Sequence, residues 1–177
     1  MAMDQWFEWL KSRRSIRKFK QKKVDEQVIK HMLQSASIVP SSKGRKPWEF
    51  VVVQDETVLS ELSRCKEHGS AFLKNAAAAI AVVADPKKCD VWIEDASIAA
   101  YTLQLSAHQE GLGSCWVQVR ERMHDKKTPA QAIVKSVLSI PDGYEVLCII
   151  GFGYPDEEKK EYELKDVMEE KFHYEKY

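Results

Sequence analysis

The sequence predicts a single domain of mixed α+β or α/β class, and three observations support this prediction. The chain has 177 residues, the length of one domain with a sizeable core. Apolar residues at helical spacing alternate with short β-branched runs, which gives the order α, α, β, α, β, α, β, α, β. No repeat, low-complexity tract or Gly/Ser-rich linker interrupts this alternation. We therefore expect residues 1–177 to fold as one unit.

Two helices are predicted before the first strand. Apolar residues at positions 6–10 have helical spacing and follow Asp4, which we expect to be the N-cap. A second helix opens at Asp25 and continues to Ala36. Residues 39–44 then contain Pro, Ser and Gly, which end the helix.

Four strands are predicted from β-branched and aromatic runs. They cover residues 48–53, 76–84, 114–119 and 144–150. The second run is apolar throughout, so we expect this strand to be buried on both faces.

Three helices are predicted between these strands. Asp55 is the expected N-cap of the first, and Thr128 followed by Pro129 is expected to start the last. The middle helix covers residues 90–110, is apolar around much of its circumference and should be buried. The sequence Gly111-Leu112-Gly113 is expected to end it.

The overall charge argues against a polyanion as partner. Lys and Arg total 27, as do Asp and Glu, so the formal net charge is zero. Nucleic-acid-binding proteins normally carry a basic excess, and anionic membrane surfaces select for one too. The charges are nevertheless distributed unevenly along the chain, because residues 11–23 contain eight basic and no acidic side chains.

Cysteine usage and the hydrophobic runs favour the cytoplasm. The four cysteines show neither zinc-site spacing nor the pattern of a disulfide framework, and each is expected to be a small buried apolar residue: Cys65, Cys89, Cys115 and Cys148. The N-terminus does not resemble a signal peptide, and the longest apolar run is too short to span a membrane.

Common catalytic motifs are missing from the sequence. It contains no phosphate-loop pattern, no HExxH and no GxSxG, and the five histidines are dispersed, so we expect no metal site. Gly111-x-Gly113 begins like a dinucleotide-binding fingerprint, but it follows a helix and has Trp at position 116. If the protein is an enzyme, a bound organic cofactor is expected to supply the chemistry.

Three segments are candidate binding sites. Arg13, Arg14, Ser15 and Arg17 offer guanidinium and hydroxyl donors suited to a phosphate, although a solvated basic turn or a nucleic-acid patch is an alternative. Residues 40–50 form a polar loop that can meet the edge of a heterocycle or simply connect a helix to a strand. Residues 111–118 combine two glycines with a Trp, which indicates either close backbone approach to a ligand or a helix C-cap with a core Trp.

These segments together resemble the FMN-dependent nitroreductase family. The motifs are Arg-Arg-Ser-x-Arg, Pro-Ser-Ser followed by Pro-Trp-Glu-Phe, Gly-Leu-Gly-Ser-Cys-Trp, and Gly-Phe-Gly-Tyr-Pro, in this order. The match extends from about residue 6 to the C-terminus. The resemblance implies a three-layer α+β fold, in which helices flank a central, mainly antiparallel sheet, and an intertwined homodimer.

The resemblance also implies which residues hold FMN. The phosphate and ribityl end would contact Arg13, Arg14, Ser15 and Arg17, together with Lys159 or Lys160. A loop donated by the partner subunit would touch the isoalloxazine ring through Pro40, Ser41, Ser42 and Lys43. A third stretch would pass the reactive N5, namely Cys115, Trp116, Val117 and Gln118.

The implied activity is NAD(P)H-dependent reduction of a nitroaromatic, a quinone or a similar acceptor. Hydride would pass through flavin N5 in ping-pong order, and no side chain is expected to act as a catalytic acid or base. The helix over residues 90–110 would be the main dimer element. Gly44 and Lys46 depart from the Asn and Gln found in many members, and the basic residues at 43–46 weakly favour NADPH. Two alternatives remain open: a flavin-binding module without turnover, and a flavin-dependent dehalogenase or dehydrogenase.

Overall fold

The computed structural model describes the backbone of residues 2–177 and the side chains of residues 5–177. The chain divides into two compact units. The terminal unit consists of Met1–Arg14 and Glu158–Tyr177 and contains helix α1 (Ala2–Ser12), and the main unit is Ser15–Glu157. The expectation of one domain over residues 1–177 stays a prediction.

A four-stranded sheet forms the centre of the main unit. Its strands are β1 (Trp48–Val53), β2 (Ala78–Ala84), β3 (Gly113–Gln118) and β4 (Glu145–Gly153), in the spatial order β1-β2-β4-β3. All three neighbouring pairs are antiparallel. This confirms the α+β class and decides between the two classes that the sequence order left open.

Helices cover both faces of the sheet. They are α2 (Glu26–Ser37), α3 (Glu56–Leu62), α4 (Trp92–Gln109) and α5 (Ala130–Leu138). Helices α2 and α4 pack on one face and α3 and α5 on the other, each over its own apolar cluster. All seven residues of β2 are buried, as predicted for a strand between two helical layers. The three-layer architecture is therefore confirmed.

The predicted start of the second helix at Asp25 and the predicted cap at Asp55 are confirmed, and both residues are N-caps. The Asp25 carboxylate accepts a hydrogen bond from the Gln27 amide at 2.7 Å, at the start of α2. The Asp55 carboxylate accepts one from the Val58 amide at 3.0 Å, at the start of α3. Each cap satisfies a backbone donor that has no partner within the first turn of its helix.

Other predicted boundaries are wrong. Asp4 lies inside α1 and not at its N-cap. Pro129 occupies the cap position of α5, and the Thr128 hydroxyl donates backwards to the Asp125 carboxylate. Strand β4 runs on to Gly153, three residues beyond its predicted end, because residues 151–153 continue the pairing with β3.

The long helix α4 ends as predicted at the glycine pair. The Leu112 amide donates to the Ala107 carbonyl at 2.8 Å and the Gly111 amide to the His108 carbonyl at 3.1 Å, with Gly111 at a φ of 71°. This pair of bonds is a Schellman motif, which turns the chain directly into β3. One side of α4 is buried, as seven of its eighteen residues show, whereas Ile98 and Tyr101 are 43% and 42% exposed.

None of the helices within residues 2–177 combines the length and apolar character that crossing a membrane requires.

Candidate functional site

The basic segment that follows Arg14 lies against one end of the sheet. The Ile16 amide donates to the Ser114 carbonyl at 3.0 Å, in the first part of β3. The Lys20 amide donates to the Tyr154 carbonyl at 2.9 Å, immediately after β4. Backbone bonds at both ends thus fix residues 15–20 along the β3–β4 edge.

Two glycines make this placement possible. Gly113 and Gly153 are paired across β3 and β4. A Cβ atom on Gly113 would lie 2.7 Å from the Ile16 Cβ, and one on Gly153 would lie 3.2 Å from the Phe19 Cβ. The sequence left open whether these glycines allow a ligand to approach the backbone closely. At Gly113, the group that approaches is the Ile16 side chain of the chain's own basic segment.

Within this segment, Arg17 projects into solvent. The Arg17 and Lys18 amides both donate to the Glu157 carboxylate, at 2.6 and 3.2 Å. The Arg17 and Lys18 side chains are exposed, whereas Ser15 is half-buried beside Ser114. The carboxylate takes the backbone donor of Arg17, and the Arg17 side chain is exposed.

The terminal unit holds the other predicted phosphate ligands. Arg13 and Arg14 are half-buried, and the Arg14 guanidinium lies 4.5 Å from the centroid of the Tyr162 ring. The Tyr162 amide donates to the Lys11 carbonyl at 3.1 Å, which brings the region before Arg13 next to the segment after Lys160. These contacts bring the two arginines and the 159–160 lysines into one unit.

The two lysines differ in their surroundings. Lys160 forms an ion pair with Glu163, which also pairs with Lys165 at 2.6 Å. These ammonium groups hold the pKa of the Glu163 carboxyl below its ordinary value. Lys159 is exposed.

The predicted ring-binding loop is a tight, ordered turn. Residues 42–44 form one turn of 3-10 helix, in which Lys43 has a φ of 53°. The Ser42 amide donates to the Asp95 carboxylate at 2.9 Å, and the Lys46 amide donates to the Ser41 hydroxyl at 3.0 Å. Pro40, Lys43 and Lys46 are exposed. The loop therefore presents two ammonium groups on a fixed backbone.

The four predicted residues of β3 divide between the two faces of the sheet. Trp116 is half-buried against the α2–α4 layer, and its indole N–H donates to the Gln118 side-chain oxygen at 2.8 Å. The Gln118 side-chain nitrogen donates in turn to the Arg120 carbonyl at 2.9 Å. Val117 packs on the opposite face with α3 and α5, and Cys115, two residues earlier in the strand, lies on the same face as Val117. A ligand on one face of the sheet therefore cannot contact all four side chains, whereas it can contact the strand backbone from either face.

Sequence reasoning missed several residues that shape this region. Asp95 is 4% exposed, and Glu157 caps two amides of the basic segment. One sequence signal could have identified Asp95: it is the last charged residue before a long stretch of α4 without Asp, Glu, Lys or Arg. Glu157 was one of many acids in residues 156–170 and carried no distinguishing signal.

The donor set fits a phosphorylated planar cofactor. Exposed or half-buried guanidinium groups suit a phosphate, and ammonium groups on a fixed loop suit an anionic heterocycle. Within residues 5–177, there is no group of three or more His, Cys, Asp or Glu side chains that could hold a metal ion.

Comparison with known proteins agrees with this chemistry. The sequence model of the nitroreductase family matches residues 10–68 and 61–154. A solved structure of an FMN-dependent nitroreductase from Clostridium difficile is 49% identical, with a TM-score of 0.94, and the match covers 96% of this chain and 98% of that one. A relative from Archaeoglobus fulgidus, named "Putative NADH dehydrogenase/NAD(P)H nitroreductase", is 34% identical over 93% of each chain. An iodotyrosine deiodinase from Thermotoga neapolitana is 23% identical over 94% of this chain and 97% of its own length.

Proposed function

The chain belongs to the nitroreductase family, whose members are NAD(P)H-dependent FMN oxidoreductases, and we propose that it reduces nitroaromatic, quinone or similar acceptors. One observation carries the proposal. Residues 15–20 pack against Gly113 of β3 and Gly153 of β4 and are held there by backbone hydrogen bonds, and the Arg17 side chain is exposed. Backbone bonds on both sides of a basic residue preorganise the segment for a phosphate, because little backbone entropy is lost on binding.

Basic side chains and one hydroxyl would bind the FMN phosphate. We assign to it Arg13, Arg14, Ser15 and Arg17, together with Lys159 or Lys160. Lys159 and Lys160 are both exposed, and either one would supply the further ammonium group. Each charge-assisted hydrogen bond of this kind contributes about 1.5–3 kcal/mol.

The isoalloxazine ring would lie between the loop of a partner subunit and β3 of this chain. The loop would contribute Pro40, Ser41, Ser42 and Lys43, and the strand would contribute residues 115–118. Because side chains alternate along a strand, we assign Trp116 and Gln118 to contact through side chains. Cys115 and Val117 would then contact the ring through the backbone.

Bound FMN would accept hydride from NAD(P)H at N5 and deliver it to the acceptor. The chain's own residues would orient the ring and stabilise negative charge on it. The Lys43 and Lys46 ammonium groups are exposed on a fixed turn. A positive charge near the pyrimidine side of the flavin would stabilise its reduced, anionic form, and we assign this role to these lysines. Their charge also favours the 2′-phosphate of NADPH over NADH. Donor and acceptor would use the same cleft in turn, which is ping-pong order.

A homodimer would complete the site. Helix α4 has no Asp, Glu, Lys or Arg after Asp95, and it exposes Ile98 and Tyr101 one helical turn apart. Exposed apolar side chains on a helix stretch without charged residues indicate an interface. The four cysteines are not joined by disulfides in the structure, which suits a reducing compartment, and we propose the cytoplasm as the location.

An anaerobic titration tests the proposed activity. The purified protein is loaded with FMN, and the flavin band at about 450 nm is followed as NADH or NADPH is added. We expect the band to bleach at one reductant equivalent per flavin and to return when a nitroaromatic or quinone is added. A protein that takes up no FMN contradicts the whole proposal. A protein that binds FMN but is not bleached is a flavin-binding module without turnover.

Reductive dehalogenation is the second candidate. It is supported by the similarity to the iodotyrosine deiodinase, which extends over nearly the full length of both chains. Release of iodide from an iodinated phenol by the reduced protein distinguishes this activity from nitro or quinone reduction.

A further inference from the structure

The turn at residues 41–46 holds an unfavourable backbone conformation. Lys43 and Lys46 have φ values of 53° and 46°, in the left-handed region, and Gly44 between them has a φ of 68°. A non-glycine residue is disfavoured in this region, because its Cβ comes too close to the following carbonyl oxygen. Such a conformation persists only where neighbouring groups hold it, so the question is which groups do so.

A buried carboxylate holds the start of the turn. The Asp95 side chain lies in the first turn of α4 and is 4% exposed. One of its oxygens, Oδ1, accepts the hydrogen bond from the Ser42 amide at 2.9 Å. The other, Oδ2, accepts one from the Cys89 thiol at 3.3 Å. Both carboxylate oxygens therefore have partners, as a charge at this depth requires.

The same thiol is linked to the far side of the turn. The Arg45 guanidinium lies 3.8 Å from the Cys89 sulfur and 3.2 Å from Asp90 Oδ1, with which it forms an ion pair. The contacts therefore close a ring that runs from Ser42 to Asp95, to Cys89 and back to the turn at Arg45. The ring joins the turn to the first turn of α4 through Asp95 and to the segment before α4 through Cys89.

We propose that Asp95 and Cys89 are positioning residues that hold residues 41–46 in their left-handed conformation. That this turn meets the cofactor rests on the proposed function, whereas the restraint itself is a property of the chain alone. Charge and strain both favour this role. The carboxylate sits at the positive end of the α4 dipole, and without it the turn would relax to ordinary backbone angles. The exposed Lys43 and Lys46 ammonium groups would then lose their fixed positions.

Hydrogen exchange of the flavin-free protein tests the restraint directly. Four of the six amides in residues 41–46 donate hydrogen bonds within the turn or to Asp95, so the segment should be protected in the wild-type chain. In the Asp95→Ala variant we expect exchange of this segment to accelerate at least about tenfold, the effect of losing one charge-assisted hydrogen bond. The control is Glu94→Ala, which removes an exposed carboxylate from the same helical turn.

The contribution of Cys89 is tested by two substitutions. Cys89→Ser keeps a donor for the carboxylate, whereas Cys89→Ala removes it. We expect fast exchange of residues 41–46 in the alanine variant and near wild-type exchange in the serine variant. Exchange of β2 and β4 amides serves as an internal control for global folding. Equal exchange of residues 41–46 in wild type, Asp95→Ala and Glu94→Ala would overturn the proposal, and equal behaviour of the two Cys89 variants would remove Cys89 from it.

A binding measurement connects the restraint to the cofactor. We expect the FMN dissociation constant to rise about tenfold in Asp95→Ala and to stay unchanged in Glu94→Ala. Cys89→Ser should bind FMN more tightly than Cys89→Ala. If the wild-type chain binds no FMN, the proposed function fails, but the exchange experiment still decides the restraint. If exchange accelerates while FMN affinity is unchanged, the restraint is supported and its link to the cofactor is overturned.

Discussion

Gly113 lies in direct contact with Ile16, 97 positions earlier in the chain. An added Cβ on Gly113 would meet three Ile16 atoms at 2.7–2.9 Å, namely Cβ, Cγ2 and Cγ1. The Ile16 amide also donates to the Ser114 carbonyl, so the segment cannot move away without losing a backbone hydrogen bond. The start of the basic segment is thus fixed by packing and by hydrogen bonding at once.

A Gly113→Ala substitution should therefore destabilise the protein. Overpacking a tight contact costs about 1–3 kcal/mol, and we expect the upper part of that range because the clash involves a branched side chain held by the backbone. The measurement is the free energy of unfolding in denaturant. In a double-mutant cycle, Ile16→Ala should recover part of the loss, since it removes two of the three clashing atoms. Strictly additive losses would show that the two residues do not interact.

Removal of the Arg13 and Arg17 side chains together should weaken FMN binding. Each phosphate contact contributes about 1.5–3 kcal/mol, so the dissociation constant should rise at least about a hundredfold. The measurement is fluorescence titration of the apoprotein with FMN. The control is Lys18→Ala combined with Lys20→Ala, which removes the same charge from exposed side chains of the same segment. Equal weakening in both double variants would assign the effect to general charge and not to phosphate contact.

Local sequence patterns were sufficient for most elements of the fold. Strand β1 was predicted with both of its bounds because its apolar run lies between Pro47 and the Asp55 cap, two strong boundary signals. Strand β2 was predicted to begin two residues early. Ala76 and Ala77 look like strand residues, but the Ala76 amide donates to the Leu73 carbonyl in the preceding turn.

The site was predictable where its residues are close in sequence and not where contacts join distant ones. The basic cluster at Arg13–Arg17 was recognisable because donors of one kind occur within five residues. Asp95 acts on Ser42, 53 positions away, and Gly113 contacts Ile16 across most of the main unit. A single sequence contains no signal for such pairs, because the relevant distance exists only after the sheet and α4 have formed.

A charge introduced at Ile98 should prevent dimer formation. Ile98 is 43% exposed on α4, and burying a carboxylate at an apolar interface is strongly unfavourable. We expect Ile98→Glu to elute and scatter light as a monomer, whereas the wild-type chain scatters as a dimer. Val52→Glu is a matched control, because Val52 is 38% exposed on β1 and has no role in the proposed interface. A monomeric wild-type chain that retains FMN contradicts the shared site.

All four thiols should be unreactive in the folded protein. The side chains are buried, and no two of them are joined by a disulfide: Cys65, Cys89, Cys115 and Cys148. Burial raises the pKa of the Cys148 thiol well above its ordinary value and raises that of Cys65, and the thiolate is the reactive form. Native protein should react negligibly with a thiol reagent such as a disulfide dye. In denaturant without reductant all four thiols per chain should react. A smaller number would indicate a disulfide.

Asp125 should make stability depend on pH in the acid range. Its carboxylate accepts hydrogen bonds from the Lys127 and Thr128 amides, both at 2.8 Å, in the turn that leads into α5. These donors, that of Lys127 first, hold the pKa of the Asp125 carboxyl below its ordinary value of 3.8. A carboxyl with a depressed folded pKa stabilises the protein above its unfolded pKa. That contribution is lost as the pH falls through the folded value.

The experiment compares the unfolding free energy of wild type and Asp125→Asn between about pH 7 and about pH 2. We expect wild type to be the more stable at neutral pH and the difference to shrink steadily once the pH falls below about 4. Asp142→Asn removes an exposed carboxylate from another loop and reports the effect of net charge alone. A difference between wild type and Asp125→Asn that stays constant down to the lowest pH would show that the amide hydrogen bonds of Asp125 do not depend on its charge.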